Sequence, residues 1–448
     1  MHQSTTTVPI PARPADSVHA SVIERCQVCD APDLRSVIFL GYVPPLNRLY
    51  PISARPREET VFPAEALYCS KCHLVQLGLV LSRDLLFPPD YPYVSGTTRV
   101  QRENFADLYW ESQGIRHLEP GDLVVDVGSN NGTLLSNFQT VGHRVLGIEP
   151  THSSNLARER GIPTVPAFFE PETARQIRTE HGPAHVITAT NLLAHVADIH
   201  GLLQAVLHLL DERGMMVAEV QDLHGVVSML QFDSFYHEHI RYYSLESLSY
   251  LLRMHGLEVF HAKRIRTHGG SLRIYAARPG IHRVRESVGE LLGEDATLFG
   301  SFDKLKEFSH CAMMAKLELQ SMLFDIKRRS KRIVAVGAAS RSSMLVNHLA
   351  LDKSILDFVV EIPGSPKIGT YMPGTLIPIV EESRLWEEQP DCALLLSWHV
   401  ANDLIPKLTQ KGFTGDYLVP LPRPCLVRGT QCPPRHISHQ ESRSSSDA

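Results

Sequence analysis

Residues 231–243 read QFDSFYHEHIRYY, which places His237, Glu238 and His239 in succession between Tyr236 and the pair Tyr242 and Tyr243. Histidine titrates near neutral pH, so this cluster suits proton transfer, metal ligation or an ordinary polar surface. In an extended segment His237 and His239 share one face and Glu238 takes the other. In a helix the two rings are splayed by about 200°. Neither arrangement gives the i, i+4 histidine pair of a helical zinc site, so acid–base work is favoured over metal binding.

Metal ligation has a better address. Cys26-x-x-Cys29 and Cys69-x-x-Cys72 form two thiolate pairs, each on a tight turn. Two such turns supply the four sulfur ligands that tetrahedral zinc takes, and a site closed by four protein ligands is structural. The remaining cysteines, Cys311, Cys392, Cys425 and Cys432, are scattered.

A third pattern is VVDVGSNNGTLL, residues 124–135. A strand carrying Asp126 runs into a turn with Gly128, Asn130 and Gly132, and a helix starts near Thr133. Glycines let the backbone approach a ligand closely. The next strand ends in Glu149, placed to bind the two hydroxyls of a ribose. The spacing lacks the GxGxxG of a diphosphate-binding turn and suits S-adenosylmethionine better. After the fourth strand comes NLLAHVAD; the carboxyl ends of parallel strands line the ligand crevice, so Asn191 and His195 are placed on it.

These residues need elements to hold them. Three blocks are expected: a proline-rich zinc-binding module over 21–95, a doubly wound α/β domain over 96–285, and, after a helical linker over 286–328, a second α/β domain over 329–430. The fold class is therefore α/β. In the central block the strands expected are 123–128, 144–150, 163–169, 185–191, 214–222, 257–265 and 271–279, the last two as a closing hairpin. In the C-terminal block they are 332–339, 355–361 and 392–398. Phe302, Leu305, Phe308, Leu317, Met322 and Leu323 supply the apolar positions of the linker. Residues 1–20 and 431–448 read as a disordered leader and tail.

Composition narrows the function. The 448 residues are 43% hydrophobic and 21% charged with a formal net charge of −5. That balance offers no basic surface for nucleic acid. No apolar run reaches the roughly 20 residues of a membrane span. The start shows no secretory signal, so a cytoplasmic protein is expected, acting on a small molecule as a monomer or homodimer. Two weaker features are THGGSLRIY, where Arg273 is a candidate anion contact, and the turn at AVGAASRSS.

Taken together, the three blocks resemble the S-adenosylmethionine-dependent sugar C-methyltransferases, which act on nucleotide-linked 4-keto deoxysugars in antibiotic pathways. The resemblance rests on the CxxC pairs with CSKCHLVQLG, on DVGSNNGTLL with GIEP, and on TNLLAHVAD, FDSFYHEHIRYYS, THGGSLRIY and VGAASRSSMLVNHL. It implies methylation of the carbon beside a ketone, with His239 as the base. It further implies that Glu238 and His195 surround the reacting ketone, and that Tyr236 and Tyr93 line the substrate pocket. The family's usual Asn-Asp-Gly is Asn130-Asn131-Gly132 here, and Arg341 and Ser342 stand where a lysine and a glycine are usual. O- or N-methylation with the same cofactor domain, and a non-catalytic zinc-stabilised binding protein, are the alternatives.

Overall fold

The computed structural model describes residues 20–87, 95–96, 98–299 and 301–429. Its centre is a seven-stranded sheet in the order Glu258–Ile265, Ser271–Ala277, Leu210–Gln221, Ala184–Thr190, Leu123–Val127, Arg144–Ile148, Thr164–Val165. The last five are mutually parallel, and Ser271–Ala277 runs antiparallel to both of its neighbours. The expected hairpin is therefore present. The expected strand at 163–169 shortens to Thr164–Val165.

Buried side chains alternate between two cores because strand side chains alternate between faces. Val124, Val186 and Val217 pack with Phe105, Leu108 and Phe138 of the helices on one side. Leu123, Val125, Ile187 and Met216 pack on the other with Leu202, Val206 and Leu248. That second core also contains Cys26, Cys29, Cys69 and Cys72. The cysteine cluster is thus continuous with the central domain's interior.

The N-terminal sheet crosses the expected boundary. Leu34–Val43, Phe62–Cys69 and Val75–Leu77 are joined by Arg241–Tyr242, the strand that leaves the YHEH turn. A second crossing pairs Tyr50–Pro51 with Thr370–Tyr371. The C-terminal block is a six-stranded sheet ordered Ile379–Glu381, Val359–Glu361, Ile333–Val336, Cys392–Leu395, Asp416–Val419, Cys425–Val427. Its strands are shorter than the apolar runs expected at 355–361 and 392–398, because the run at Trp398 turns into a single 3-10 turn.

The expected linker is two helices, Glu286–Phe299 and Asp303–Arg328. Leu305, Phe308 and Leu323 face the core, but Leu317 is 53% exposed and contributes nothing to it. A residue every three or four positions fills the buried stripe, and Leu319 takes the place assigned to Leu317. No described helix is long and apolar enough to cross a membrane.

Arg273 is not an anion contact. It is fully buried, and its guanidinium donates to Glu219 at 2.7 Å, Asp107 at 2.8 Å and Glu111 at 3.0 Å. Asn104 accepts a further bond at 2.7 Å and donates to both oxygens of Glu219. This network fastens the helix Arg99–Ile115 across the sheet beside the cofactor turn. Replacing Arg273 by Met leaves three carboxylates around an uncharged side chain. We expect a loss of about 3–5 kcal/mol in urea unfolding; an unchanged midpoint would mean that the network is not what docks the helix.

Candidate active site

The cofactor turn is shaped by backbone conformation. Gly128 (φ 74°), Asn130 (φ 49°) and Gly132 (φ 76°) lie in the left-handed region. A side chain on Gly132 would also meet Ile162 at 2.8 Å. Asp126 accepts the hydroxyl of Thr188 at 2.7 Å, and burial pushes its carboxyl up to about 7. Glu149 clips the turn: one oxygen accepts the Asn130 N–H at 3.0 Å and the other the Thr151 N–H at 2.9 Å. A carboxylate has about four acceptor positions, so Glu149 keeps capacity for ribose hydroxyls. The residues present fit S-adenosylmethionine, with the turn, Asp126 and Glu149 forming the cradle.

Asn131 shows what an amide does in place of the usual carboxylate. Its oxygen accepts from the hydroxyl of Thr133, the first residue of the following helix, at 2.7 Å and from the Thr133 N–H at 3.3 Å, while its NH₂ donates to the Ser95 carbonyl at 3.0 Å. An aspartate would accept the same bonds but could not make the last. Ser95 also donates its N–H to Asn130 at 2.8 Å, so the segment entering the helix Arg99–Ile115 is tied to the turn. Asn191, at the end of Ala184–Thr190, has φ 54° and donates its N–H to the Glu219 carbonyl at 2.7 Å.

The YHEH segment is neither strand nor helix. A 3-10 turn at Phe232–Ser234 leads into a tight turn, and the two histidines part company. His237 reaches the Pro63 carbonyl at 3.0 Å and packs edge-on against Phe62. His239 meets the Tyr236 hydroxyl at 3.1 Å and sits 4.8 Å from the His195 ring. Neither the extended nor the helical arrangement weighed for the segment applies, because the turn rotates successive residues to different neighbours.

Burial pushes His239 well below the ordinary histidine range; His195, His268 and Arg341 add to that, and the Ser234 carbonyl opposes it. Burial also lowers His195 to about 4. Both shifts favour the neutral ring. Nδ1 of His195 donates to the Glu238 carbonyl at 2.7 Å, which leaves Nε2 as its acceptor. The Glu238 carboxylate turns away to the Asn47 amide at 2.7 Å, and Ser340 donates to the oxygen of the same Asn47 at 3.3 Å. Asn47, Glu238 and Ser340 come from the N-terminal, central and C-terminal blocks, so all three meet here.

Sequence reasoning missed what joins His195 to His239. Arg241, 1% exposed, donates to the carbonyls of Val196 at 2.5 Å and Ala197 at 2.7 Å. The Ile240 N–H bonds the Ala194 carbonyl at 2.9 Å. The signal was present only as an arginine two positions after the YHEH motif. Tyr93 lies outside the described residues.

The four cysteine sulfurs lie within 4.8 Å of one another, with Cys26 to Cys72 and Cys29 to Cys69 each at 3.5 Å. Tetrahedral zinc with bonds of about 2.3 Å needs sulfurs separated by little more than this. Asp30 (φ 54°) and His73 (φ 58°), each directly after a CxxC, make the same left-handed step. The two half-sites are thus built alike, and they fit zinc.

Three family profiles match the chain in series: a zinc binding domain over residues 26–87, a methyltransferase domain over 104–262 and a C-methyltransferase C-terminal domain over 266–422. The C-methyltransferase NovU of Streptomyces niveus is 32% identical over 414 residues, covering 90% of this chain and 97% of that protein. A S-adenosylmethionine-dependent methyltransferase of Anabaena variabilis is 17% identical over 41% of this chain and 87% of its own, with a TM-score of 0.33. Magnesium protoporphyrin IX methyltransferase of Synechocystis, solved with S-adenosylhomocysteine, is 14% identical over 42% of this chain and 90% of its own, with a TM-score of 0.33.

Replacing Cys29 by Ser opens the sulfur cluster inside a shared core. We expect zinc loss in a metal assay and a stability loss on the order of several kcal/mol, with cofactor binding failing only as the protein melts. A variant that kept its stability and lost only turnover would show that the zinc serves the chemistry instead.

Proposed function

The chain belongs to the family of S-adenosylmethionine-dependent C-methyltransferases, and on that premise we propose that it methylates C3 of a nucleotide-linked 4-keto deoxysugar. The observation that carries the reading is His239: a half-buried imidazole, held by the Tyr236 hydroxyl and packed edge-on against His195, whose environment disfavours its charged form.

In this reading His239 removes the proton from the carbon beside the ketone, and the bonding pair passes into the enolate. Tyr236 fixes the ring through Nε2. His195 presents Nε2 as an acceptor toward the same space, and its own orientation is fixed by the Glu238 carbonyl. Asp126, Gly128, Asn130, Gly132, Glu149 and Asn191 hold the methyl donor. When bound, S-adenosylmethionine supplies the methyl group and departs as S-adenosylhomocysteine. Burial keeps water from reprotonating the enolate.

A charged carrier on the substrate is supported by the C-terminal sheet. Gly337 (φ 94°) opens a strand–turn–helix, Glu361 accepts the Ala338 N–H at 2.8 Å, and the ammonium of Lys367 donates to the Ala338 carbonyl at 2.7 Å. Burial lowers Lys367, and only Glu361 and Glu238 act to keep it charged. An ammonium beside a backbone turn suits phosphate oxygens.

Replacing His239 by Asn should abolish turnover while leaving cofactor affinity unchanged in calorimetry. In D₂O, with thymidine-diphosphate 4-keto deoxysugars as probes, wild type should exchange hydrogen at the carbon beside the ketone and the variant should not. Exchange by the variant would remove His239 as the base.

The pH profile gives an independent check. A lowered histidine pKa keeps the ring unprotonated as pH falls, so the acidic limb of kcat/KM should lie well below pH ~6.5, the ordinary histidine value. A limb at or above that value would contradict the assignment.

A further inference from the structure

Asp233 is fully buried in the 3-10 turn that precedes Tyr236, and both of its carboxylate oxygens are taken by side chains of the C-terminal block. Arg341 donates to one at 2.8 Å and the Trp398 indole N–H donates to the other at 2.9 Å. The Arg341 guanidinium also lies 5.5 Å over the Trp398 ring and donates to the His268 carbonyl at 3.2 Å. A lysine, as found elsewhere in the family, is a single point charge. It could not meet a carboxylate and a carbonyl in the fixed geometry of a guanidinium fork while stacking on an indole.

We propose that Arg341 and Trp398 are positioning residues that set the orientation of His239 by gripping Asp233. The proposal rests on the reading of His239 as the base. The connection is short and covalent for most of its length. Asp233 fixes the turn Phe232–Ser234; the Tyr242 hydroxyl donates to the Ser234 carbonyl at 2.8 Å and accepts the Tyr236 N–H at 3.1 Å. Tyr236 in turn holds His239. A buried carboxylate with two fixed donors resists displacement, since losing either leaves it partly unsatisfied.

Arg341 acts on His239 by charge as well as by position. The groups facing His239 are His195, His268, Arg341, the Tyr236 hydroxyl and the Tyr242 ring, with Glu238 adjacent in the chain and engaged by Asn47. Of these, Arg341 is the only permanent cation. Removing it must favour the protonated imidazole, which moves the acidic limb of the rate profile to higher pH. Trp398 carries no charge, so its loss should leave the limb in place.

The test uses Trp398→Phe, Arg341→Lys and Arg341→Met in the full chain with its zinc. Three quantities are read: hydrogen exchange into a thymidine-diphosphate 4-keto deoxysugar in D₂O, the KM for S-adenosylmethionine, and amide exchange of the 231–240 peptide without substrate. Trp398→Phe and Arg341→Met should lower substrate exchange roughly 10- to 100-fold, the usual effect of a reacting group displaced by about 1 Å. The KM should hold, and the 231–240 amides should exchange faster. Arg341→Met alone should shift the acidic limb upward, whereas Arg341→Lys should keep the limb and still lose rate.

Wild-type exchange in both Trp398→Phe and Arg341→Lys, with unchanged amide protection, would overturn the proposal even with His239 as the base. If His239→Asn itself exchanged the substrate hydrogen, the base assignment would fall first. Amide protection would then still decide whether Asp233 is gripped.

Discussion

The pairing of Arg241–Tyr242 with Val75–Gln76 is the contact on which the rest of the site depends. It makes the exit of the YHEH turn the edge strand of the sheet that the cysteine half-sites organise. Backbone hydrogen bonds between strands fix register, and a slip of one residue would turn every side chain to the opposite face. His239 stands two residues before this pairing, so its position follows from the zinc-bound sheet more than from its own domain. Arg241 completes the arrangement by tying the same strand to the loop that carries His195.

Two α/β sheets then use the same local device for different ends. In the central sheet a glycine turn is followed by a helix, and the carboxylate of Glu149 at the end of the neighbouring strand accepts the turn's Asn130 N–H. In the C-terminal sheet Gly337, the helix Ser340–His348 and Glu361 repeat the relation, with Lys367 added. A carboxylate that accepts the turn's own N–H groups stiffens it before any ligand arrives. That favours binding because less ordering remains to be done at the moment of contact.

The fold was legible where signals were local. Alternating apolar runs gave the central strands, and thiol spacing gave the cysteine cluster, because both patterns repeat over a few residues. The shape of the turn after Leu123–Val127 was legible for the same reason, since Gly128 and Gly132 are needed at φ values that other residues avoid. The parts that failed depend on distant partners. Arg273 looked like an anion contact because Glu219, Asp107 and Glu111, which occupy its guanidinium, come from other segments. The separation of His237 from His239 was invisible because it is imposed by Pro63 and by a turn gripped from the C-terminal block. Asn47 and Glu238, 191 positions apart, leave no periodic trace of their contact. Tyr93, expected in the substrate pocket, lies outside the described residues and is neither supported nor corrected.

The strand order also bears on how the chain is made. Synthesis proceeds from the N-terminus, and segments generally fold as they emerge. The N-terminal sheet cannot acquire its edge strand until Arg241–Tyr242 has left the ribosome. Its pairing of Tyr50–Pro51 with Thr370–Tyr371 waits longer still, and the hydroxyl of Tyr371 reaches a carbonyl 319 positions upstream. Until then the nascent module exposes an unpaired edge along Val75–Leu77, while its own strands and cysteine turns are already complete. The last contacts of the N-terminal module therefore close only when nearly the whole polypeptide has been made.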